Sequence, residues 1–354
     1  MVEFALMIQK RILNFMASLL VKKLGIDIGS SYTRIYIPNK GIVLEEPTLV
    51  ALSKKTGEIV AVGKDAEVML GKNPEIIEVY APISHGVPIH LPLLEVMINE
   101  YIHSVVSSYS LVKPEVVLSV PTDISSTEKR AIVESLLKAN VKSVFVVKQP
   151  VLAAYGAQIN TDHAKGSMMV TIGGGTTEIA ITSLGSTVSG RSLKIGGKDI
   201  DAKIKEYVST YKNLEISPKN AEDIKIAVAS AVFEEDEEYV VTVRGRDIFS
   251  GLPASFDITS NEIYPIIKDF LEEVCEGIRL VLSTTPPEIV VDIMDQGIHL
   301  AGGGAQITNI TEFIFRKTGV RSLLVQNPTH VVILGTEKAL SKLQDFRDSE
   351  KISR

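Results

Sequence analysis

The chain has 354 residues, of which 45% are hydrophobic and 23% are charged, and its formal net charge is −6 at pH 7. This composition excludes collagen-like, low-complexity and disordered proteins, and it fits one large or two medium globular domains. The acidic balance argues against a dedicated nucleic-acid binder, and the single cysteine, Cys275, excludes an intrachain disulfide and indicates a reducing, cytoplasmic setting.

Residues 1–21 precede the first predicted strand and have an amphipathic pattern. At about 100° per residue, the apolar side chains fall on one broad face, and Lys10, Arg11, Asn14 and Ser18 fall on the other. A helix with cations on its polar side is typical of segments that lie in a membrane interface. Two alternatives stay open: a helix packed on its own domain, and an upstream start that is not used, with Met16 as the true first residue.

A strand–turn–strand pattern occurs twice at a fixed separation. Residues 24–38 (LGIDIGSSYTRIYIP) and 168–182 (MMVTIGGGTTEIAIT) each predict two strands joined by a turn of Gly, Ser and Thr. The two stretches match at an offset of 144 positions, so that Ile28 and Gly29 correspond to Ile172 and Gly173. A repeat at this distance predicts two related halves with one hairpin in each.

Both turns have the composition of a phosphate-binding loop. Glycine lets the backbone approach a ligand closely, and hydroxyl and N–H groups suit phosphate oxygens. One such turn is weak evidence, because tight turns use glycine for their own geometry. Two matching turns favour a polyphosphate held from two sides.

A third glycine cluster, at 302–304, follows the apolar strand predicted over 297–301 and precedes a helix predicted to begin at Gln306. The order of strand, glycines and helix suits contact with a nucleotide. A plain strand-to-helix turn is the alternative.

Asp27 lies inside the first apolar strand, just before the first turn. A carboxylate in such a strand is costly unless it meets a cation or hydrogen bonds. Mg²⁺, bridged to phosphates by its waters, is the predicted partner, because Mg²⁺ prefers oxygen ligands and keeps several waters. The alternative is an aspartate that accepts hydrogen bonds from the following turn.

Beyond these three loops, several longer stretches resemble one family. They are KGIVLEEPTLVA (40–51), TGEIVAVG (56–63), LGKNP (70–74), VPTDISSTEKRAI (120–132), IGGGTTEIA (172–180), GLP (251–253), TPPE (285–288) and GIHLAGGG (297–304). From about Lys23 to Leu343 the chain is similar to the MreB family of bacterial actins, within the superfamily of actin, sugar kinases and heat-shock ATPases. The phosphate loops are common to the superfamily, and the order of the other stretches points to MreB.

The resemblance implies an α/β, actin-like ATPase fold with two related αβ domains, each with a smaller subdomain, around a nucleotide cleft. The expected parts are an amphipathic leader helix (1–21), a first domain (22–148, small subdomain about 39–75) completed by 326–345, a second domain (149–325, small subdomain about 195–258) and a frayed tail (346–354). The second small subdomain is expected to hold a helix near 221–232 and a strand pair near 239–258.

The resemblance also implies ATP and Mg²⁺ as cofactors and names the residues that bind them. The first phosphate loop would use Asp27, which is also the expected metal residue, with Gly29, Ser30, Ser31 and Tyr32, and the second would use Gly173, Gly174, Gly175 and Thr176. Adenosine would contact Gly302, Gly303, Gly304 and Ala305, and the ribose and base would contact Glu222 and Lys225.

Glu128 matches the family glutamate that orients the attacking water, which makes it the expected catalytic residue. The residues themselves offer another explanation. Ser125 and Glu128 have the spacing of a capping box at the start of a helix predicted over 129–140, in which the glutamate bonds back to the Ser125 N–H. Both interpretations stay open, and one side chain could serve both uses.

Four residues depart from the family pattern. Thr171 replaces the aspartate at the head of the second phosphate loop, Tyr32 replaces an asparagine, Lys198 replaces an acidic residue, and Ala227 replaces a carboxylate near the base. Losing a positioned acid–base group lowers the rate of a catalysed reaction by a factor of about 10² to 10⁴. Backbone N–H groups supply much of the grip on phosphate. Nucleotide binding is therefore expected, and hydrolysis is expected to be weak or absent.

The family resemblance implies paired protofilaments on the inner face of the membrane. The expected partners are other copies of this chain, the inner membrane surface, and the cell-wall or shape machinery, with no nucleic acid. Membrane contact would use the helix over 1–21 and an apolar loop tip containing Leu111 and Val112, since two weak anchors joined by polymerisation give avidity. Core residues at a loop end are the alternative explanation for that tip.

The predicted function is therefore that of an MreB-like bacterial actin that binds ATP and polymerises at the inner face of the cell membrane in cell-shape determination. One alternative is a small-molecule kinase of the same superfamily, although no extra motif supports an acceptor site. The other is a filament scaffold that works without nucleotide.

Overall fold

The structure is a computed structural model that describes residues 22–106, 112–161, 163–233, 238–343 and 351–353. The predicted helix over 1–21 and Leu111 of the predicted membrane loop lie outside these residues. The chain divides into two compact units, Met1–Gly156 with Val332–Arg354, and Ala157–Val331. The domain and subdomain boundaries expected from the sequence stay predictions.

The first unit is built on a six-stranded sheet. Its strands are β1 (Lys23–Ile28), β2 (Tyr32–Ile37), β3 (Gly41–Pro47), β9 (Glu115–Val120), β10 (Ser143–Lys148) and β19 (Lys351–Ser353), numbered along the chain. Their order in the sheet is β19-β10-β9-β1-β2-β3, with β1, β9 and β10 parallel and the other pairs antiparallel. The parallel strands are almost continuous apolar runs, because both of their faces are buried.

Two smaller sheets and five helices complete the first unit. The strands are β4 (Val50–Ser53), β5 (Ile59–Val62), β6 (Ile77–Tyr80), β7 (Ile83–Ser84) and β8 (Val87–Pro88), and the helices are α1 (Lys64–Met69), α2 (Leu91–Val105), α3 (Ser126–Lys138), α4 (Gln149–Gly156) and α10 (Val331–Ser341). The core joins Leu94 and Met97 of α2 with Leu136 of α3 and Leu118 of β9, all fully buried.

The second unit contains a five-stranded sheet and a small three-stranded sheet. The five strands are β11 (Ser167–Ile172), β12 (Thr177–Ser183), β13 (Ser186–Leu193), β17 (Ile298–Ala301) and β18 (Ser322–Leu324), in the order β13-β12-β11-β17-β18. The small sheet has the order β14 (Leu214–Glu215), β15 (Val240–Asp247) and β16 (Pro253–Thr259). The helices are α5 (Gly197–Lys212), α6 (Pro218–Val228), α7 (Ser260–Ser283), α8 (Pro287–Gln296) and α9 (Ile310–Thr318).

The two main sheets repeat one topology, as the sequence repeat predicts. In each unit three consecutive antiparallel strands are followed by parallel strands on the side of the first one. The registers correspond as well, since Ile28 pairs with Thr33 in the first hairpin and Ile172 pairs with Thr177 in the second. The predicted hairpins at an offset of 144 positions are therefore confirmed.

Some predicted elements differ from the structure. The last two residues of the third glycine cluster begin a short 3₁₀ turn (Gly303–Gln306), and α9 begins only at Ile310, because Asn309 adopts a left-handed conformation with φ 61° just before it. The helix expected near 221–232 begins earlier, at Pro218, with Ser217 as its N-cap. In the tail expected to fray, Lys351–Ser353 pair with β10 as an edge strand.

Within the described part of the chain, no helix combines the length and the apolar character needed to cross a lipid bilayer.

Candidate functional site

The two predicted phosphate loops are closed by the same hydrogen bond. The Gly29 N–H donates to the Tyr32 carbonyl oxygen at 2.9 Å, and the Gly173 N–H donates to the Thr176 carbonyl oxygen at 2.8 Å. These residues occupy corresponding positions of the repeat. The chain therefore builds one turn twice, once in each unit.

The first loop, which includes Ser30 and Ser31, is held in place by Thr48 and Gly86, two residues that no sequence motif indicated. The Thr48 hydroxyl donates to the Gly29 carbonyl oxygen at 2.7 Å, and the Thr48 N–H donates to the Ser31 carbonyl oxygen at 2.9 Å. The Gly86 N–H, in the turn between β7 and β8, donates to the Ser30 hydroxyl oxygen at 3.0 Å. No local motif predicts these contacts, because they join segments far apart in the chain.

Asp27 lies at the end of β1, opposite Arg34 of β2 and Ser119 of β9. Burial raises the pKa of its carboxyl group, while the Arg34 charge and a hydrogen bond from Ser119 act to lower it. The Arg34 guanidinium is also paired with Glu45 at 2.7 Å and lies 5.3 Å from the centre of the Tyr32 ring. Because Arg34 shares its charge with Glu45, an additional cation near Asp27 would stabilise the ionised carboxylate.

The second loop rests on the start of α5. The Gly197 and Lys198 N–H groups donate to the carbonyl oxygens of Gly173 and Gly174 at 2.9 and 2.8 Å. A Cβ on Gly196 would lie 2.6 Å from the Gly174 carbonyl carbon, so α5 can begin this close only with glycine there. The Lys198 backbone N–H therefore helps to position the second loop, independently of the Lys198 side chain.

Thr171 ends the buried strand that leads into the second loop. Its side chain is 4% exposed, and among the described residues its Oγ1 has no hydrogen-bond partner. Directly opposite on β12 lies Glu178, a fully buried carboxylate that accepts a hydrogen bond from the Ser192 hydroxyl at 2.5 Å. Glu178 was not predicted from the sequence, although it corresponds to Arg34 in the repeat at the offset of 144 positions.

The third glycine cluster contacts the second loop. Gly302 has φ 83°, and a Cβ on it would lie 2.2 Å from the Ile172 carbonyl oxygen. The Gly302 N–H donates to the Pro328 carbonyl oxygen at 2.8 Å. In the 3₁₀ turn, Gly303 is exposed and Ala305 is buried. The second and third predicted loops therefore form one continuous backbone surface in the second unit.

Lys225 of α6 links that helix to the start of α5. Its Nζ donates to the Gly197 carbonyl oxygen at 3.1 Å and pairs with the Asp201 carboxylate at 2.7 Å. Burial raises the pKa of Asp201, and the Lys225 charge opposes that shift. Glu222, one turn earlier on α6, pairs with Lys219 at 3.0 Å. Ala227, a predicted departure, is exposed on the same helix.

Glu128 forms the capping box predicted from its spacing. Its Oε2 accepts a hydrogen bond from the Ser125 N–H at 2.9 Å, and its own N–H donates to the Ser125 hydroxyl at 3.2 Å. The capping interpretation is therefore confirmed. The catalytic role stays a prediction.

Within each unit, the structure thus gathers part of the predicted site. The first unit holds the first loop, Asp27 and Glu128, and the second holds the other two loops with Glu222 and Lys225. In the second unit, glycine backbones lie around Ile172, next to the partly buried pair of Lys225 and Asp201.

Comparison with known proteins agrees with this construction. The family model described as MreB/Mbl protein matches residues 21–348. The cell shape-determining protein Mbl of Bacillus subtilis is 35% identical over 322 residues, which cover 91% of this chain and 96% of that protein.

Solved structures extend the likeness to the fold. MreB5 of Spiroplasma citri superimposes with a TM-score of 0.86 when bound to ADP and 0.85 when bound to AMPPNP, at 30% and 31% identity. These alignments cover 92% and 91% of this chain and 99% and 96% of those chains. A MamK double helical filament matches with a TM-score of 0.75 at 20% identity, over 90% of this chain and 98% of that chain, which supports the fold alone.

The actin-like fold and the family resemblance predicted from the sequence are confirmed. The family match spans most of the chain, and the curated relative is aligned over almost its whole length. The chain therefore belongs to the MreB/Mbl family of cell shape-determining proteins.

Proposed function

We propose that this chain binds an adenine nucleotide with Mg²⁺ and, in that state, polymerises into filaments that act in cell-shape determination. The observation that carries the proposal is the duplicated turn, closed by the same hydrogen bond at Gly29 and at Gly173. Two such turns in one chain suit a polyphosphate with several charged groups. The nucleotides bound to MreB5 of Spiroplasma citri support the same ligand class.

The second unit fits the phosphate and adenosine parts of such a ligand. Glycine backbones at 173–175 and 302–304 allow close approach, and the unpartnered Thr171 hydroxyl is a buried polar group that a ligand or its water could satisfy. Lys225 and Glu222 of α6 are proposed to contact the ribose and base.

Asp27 is the proposed residue toward Mg²⁺. Its buried carboxylate, with a pKa raised by burial, would be held in the ionised form by a nearby cation, directly or through a water. When bound, Mg²⁺ would neutralise charge on the phosphates. The chain's own contribution is to hold Asp27 in place between Arg34 and Ser119.

Hydrolysis is proposed to be slow. Glu128 is the residue proposed to orient the attacking water, but Thr171 supplies a hydroxyl where a carboxylate would hold charge and accept a proton. The buried Glu178, opposite Thr171, already places one carboxylate in this part of the sheet.

Filaments are proposed to lie on the inner face of the cell membrane. The amphipathic pattern over 1–21 and the apolar residues Leu111 and Val112 support that location, and the cell-wall or shape machinery is the proposed partner there.

Calorimetric titration with Mg–ATP and Mg–ADP, followed by electron microscopy with and without lipid vesicles, tests the proposal. We expect binding near one nucleotide per chain, filaments with nucleotide, and filaments lying on vesicles. Asp27→Asn should weaken the Mg²⁺-dependent part of binding, whereas Asp65→Asn, on α1, should not. Filaments without any nucleotide binding would support a scaffold instead, and phosphate transfer to a small metabolite would support a kinase.

A further inference from the structure

Lysines gather at the edge of the first sheet where its parallel strands begin. Strands β1, β9 and β10 start level with one another, since Lys23 pairs with Glu115 and Glu115 pairs with Ser143. A lysine lies one or two residues ahead of each start, and the three are Lys22, Lys113 and Lys142. The parallel register therefore brings lysines from three distant parts of the sequence to one edge of the sheet.

Backbone hydrogen bonds fix the spacing of these three segments. The Glu115 N–H donates to the Lys22 carbonyl oxygen at 2.8 Å, and the Lys142 N–H donates to the Pro114 carbonyl oxygen at 2.9 Å. Neighbouring strands of a sheet are about 4.8 Å apart, so the backbones at the starts of β1 and β10 are about 10 Å apart. Because that spacing is about one Debye length at 0.1 M salt, the three charges act on a ligand as one positive surface.

A fourth lysine, Lys40, reaches the same edge from the turn between β2 and β3. Its N–H donates to the Ile37 carbonyl oxygen at 3.0 Å, which closes that turn. Gly25 of β1 pairs with Tyr36 of β2 in antiparallel register, so the residues that follow Ile37 lie level with the first residues of β1. The set of Lys22, Lys40, Lys113 and Lys142 is called here the basic edge.

The basic edge carries a positive charge that the fold does not neutralise. Lys22, Lys40 and Lys113 are exposed, and none of them has an acidic partner among the residues that the structure describes. Lys142 pairs with Glu115 at 3.2 Å, but its own side chain is 60% exposed whereas that of Glu115 is 13% exposed. Four lysines and one glutamate leave a net charge of +3 here, in a chain whose formal net charge is −6. Such a local excess is typical of a surface that binds an anionic partner.

Two apolar segments adjoin the basic edge along the chain. Residues 1–21, which the sequence predicts as an amphipathic helix, are joined to Lys22, and the predicted apolar tip with Leu111 and Val112 is joined to Lys113. This combination suits a bilayer interface, where apolar side chains enter the acyl region while lysine ammonium groups stay at the level of the headgroups. A nucleic acid would pair with the lysines but would leave both apolar segments in water, so a membrane is the favoured partner.

We infer that the basic edge binds the phosphate groups of anionic phospholipids and makes membrane contact depend on lipid charge. Each lysine close to an anionic membrane surface strengthens binding about fivefold, because the surface potential is negative. A single weak anchor gives only marginal, reversible membrane binding, and a basic patch supplies the second signal that stable binding needs. This inference rests on the proposed membrane location and names the lipid class that the location would require.

Flotation of the full chain with lipid vesicles, in the absence of nucleotide, gives the first test. The wild type should bind vesicles of equal parts phosphatidylcholine and phosphatidylglycerol at least about a hundredfold more tightly than vesicles of phosphatidylcholine alone. This difference should shrink as the salt concentration rises, because salt screens the lysine charges and leaves the apolar contacts intact.

Variants assign that preference to the basic edge, since residues 1–21 contain cations of their own. A triple variant, Lys22→Gln with Lys40→Gln and Lys113→Gln, should bind the anionic vesicles about a hundredfold more weakly and phosphatidylcholine vesicles within about twofold of the wild type. The matched control removes the same charge from three exposed lysines in and near the sheet β5-β4-β6 of the same unit, by Lys54→Gln, Lys55→Gln and Lys72→Gln. The control should stay within about twofold of the wild type on both kinds of vesicle. Equal losses in the two triple variants would show that total charge, and not the basic edge, decides binding, and would overturn the inference.

Failure of this inference differs from failure of the proposed membrane location. Equal binding of the wild type to both kinds of vesicle would overturn the dependence on lipid charge and leave the membrane location in place, whereas binding to neither would defeat both. Binding of duplex DNA that the Lys22, Lys40 and Lys113 variant loses, without any preference for anionic vesicles, would assign the basic edge to nucleic acid instead. Thermal unfolding checks the fold of this variant, which should match the wild type because the three lysines pair with no acidic side chain in the described part of the chain.

Discussion

Gly302 lies against the backbone of Ile172, with its Cα so close that an added Cβ would be 2.2 Å from the Ile172 carbonyl oxygen. Ile172 is the residue that leads into the second phosphate loop, and Gly302 begins the third glycine cluster. The parallel pairing of β11 with β17 brings the two strand ends to one edge of the sheet. The position of one loop therefore depends directly on the other.

Gly302→Ala is expected to displace both loops. The substitution combines a backbone conformation unfavourable for alanine with a steric clash, and we expect a loss of about 4 kcal/mol in the free energy of unfolding. Gly319, with φ 74° and no atom within 4 Å of an added Cβ, provides a control in the same unit, for which Gly319→Ala should cost about 1 kcal/mol. Chemical denaturation measures the free energy of unfolding of both variants. Equal losses of stability in the two variants would contradict the close contact between Gly302 and Ile172.

The two roles of Glu128 can be separated by two substitutions. Glutamine at this position keeps the bond to the Ser125 N–H, so Glu128→Gln should lose only about 0.5 kcal/mol of stability, whereas Glu128→Ala should lose about 1 kcal/mol. If the carboxylate orients water, both variants should lower phosphate release about a hundredfold. Release by the glutamine variant at the wild-type rate would leave Glu128 with the capping role alone.

The hairpins, their register and the Glu128 cap could be predicted because each is encoded in local pattern or in the repeat. The contacts that hold the loops in place could not be predicted. Thr48, Gly86 and Gly196 act through hydrogen bonds and close packing between segments that are distant in sequence, and such contacts leave no periodic signal. The late start of α9 has a different, local cause, since Asn309 adopts a left-handed conformation immediately before the helix.

Loss of Lys225 should make stability depend more strongly on pH. Burial already raises the pKa of Asp201, and Lys225→Met would raise it further by removing the opposing charge. A carboxyl group with a raised pKa in the folded state destabilises the fold as pH rises through that value. The variant should therefore lose little at pH values below the ordinary range of aspartate and about 3 kcal/mol near neutrality.

Lys219→Met, on the same helix, is the control for that experiment. Lys219 pairs with Glu222 and Asp223 at the surface, so its loss should cost under about 1 kcal/mol. Denaturation midpoints from about pH 3 to about pH 8 measure both variants. A pH-independent loss in Lys225→Met would mean that its contact with the Gly197 carbonyl, and not its charge on Asp201, stabilises the fold.

Thr171→Asp should accelerate phosphate release from assembled protein at least about tenfold, because it supplies a carboxylate at the head of the second loop. Thr171→Asn, which resembles the aspartate variant in shape but carries no charge, should leave the rate of phosphate release unchanged. The new carboxylate would lie opposite Glu178, so part of the gain is expected to be lost to repulsion between the two groups. An unchanged rate in the Asp variant would show that Thr171 does not limit hydrolysis.

Thr171→Val should have opposite effects on the stability of the nucleotide-free protein and on the binding of nucleotide. Valine has nearly the shape of threonine and removes a buried hydroxyl that has no hydrogen-bond partner among the described residues, so the nucleotide-free protein should become about 1 kcal/mol more stable. If a bound ligand or its water satisfies that hydroxyl, the same change should weaken binding of Mg–ATP about tenfold. Thermal unfolding without nucleotide and calorimetric titration with it give the two quantities. Greater stability with unchanged nucleotide affinity would place the Thr171 hydroxyl outside the binding site, and lower stability in both states would mean that the hydroxyl already bonds within the fold.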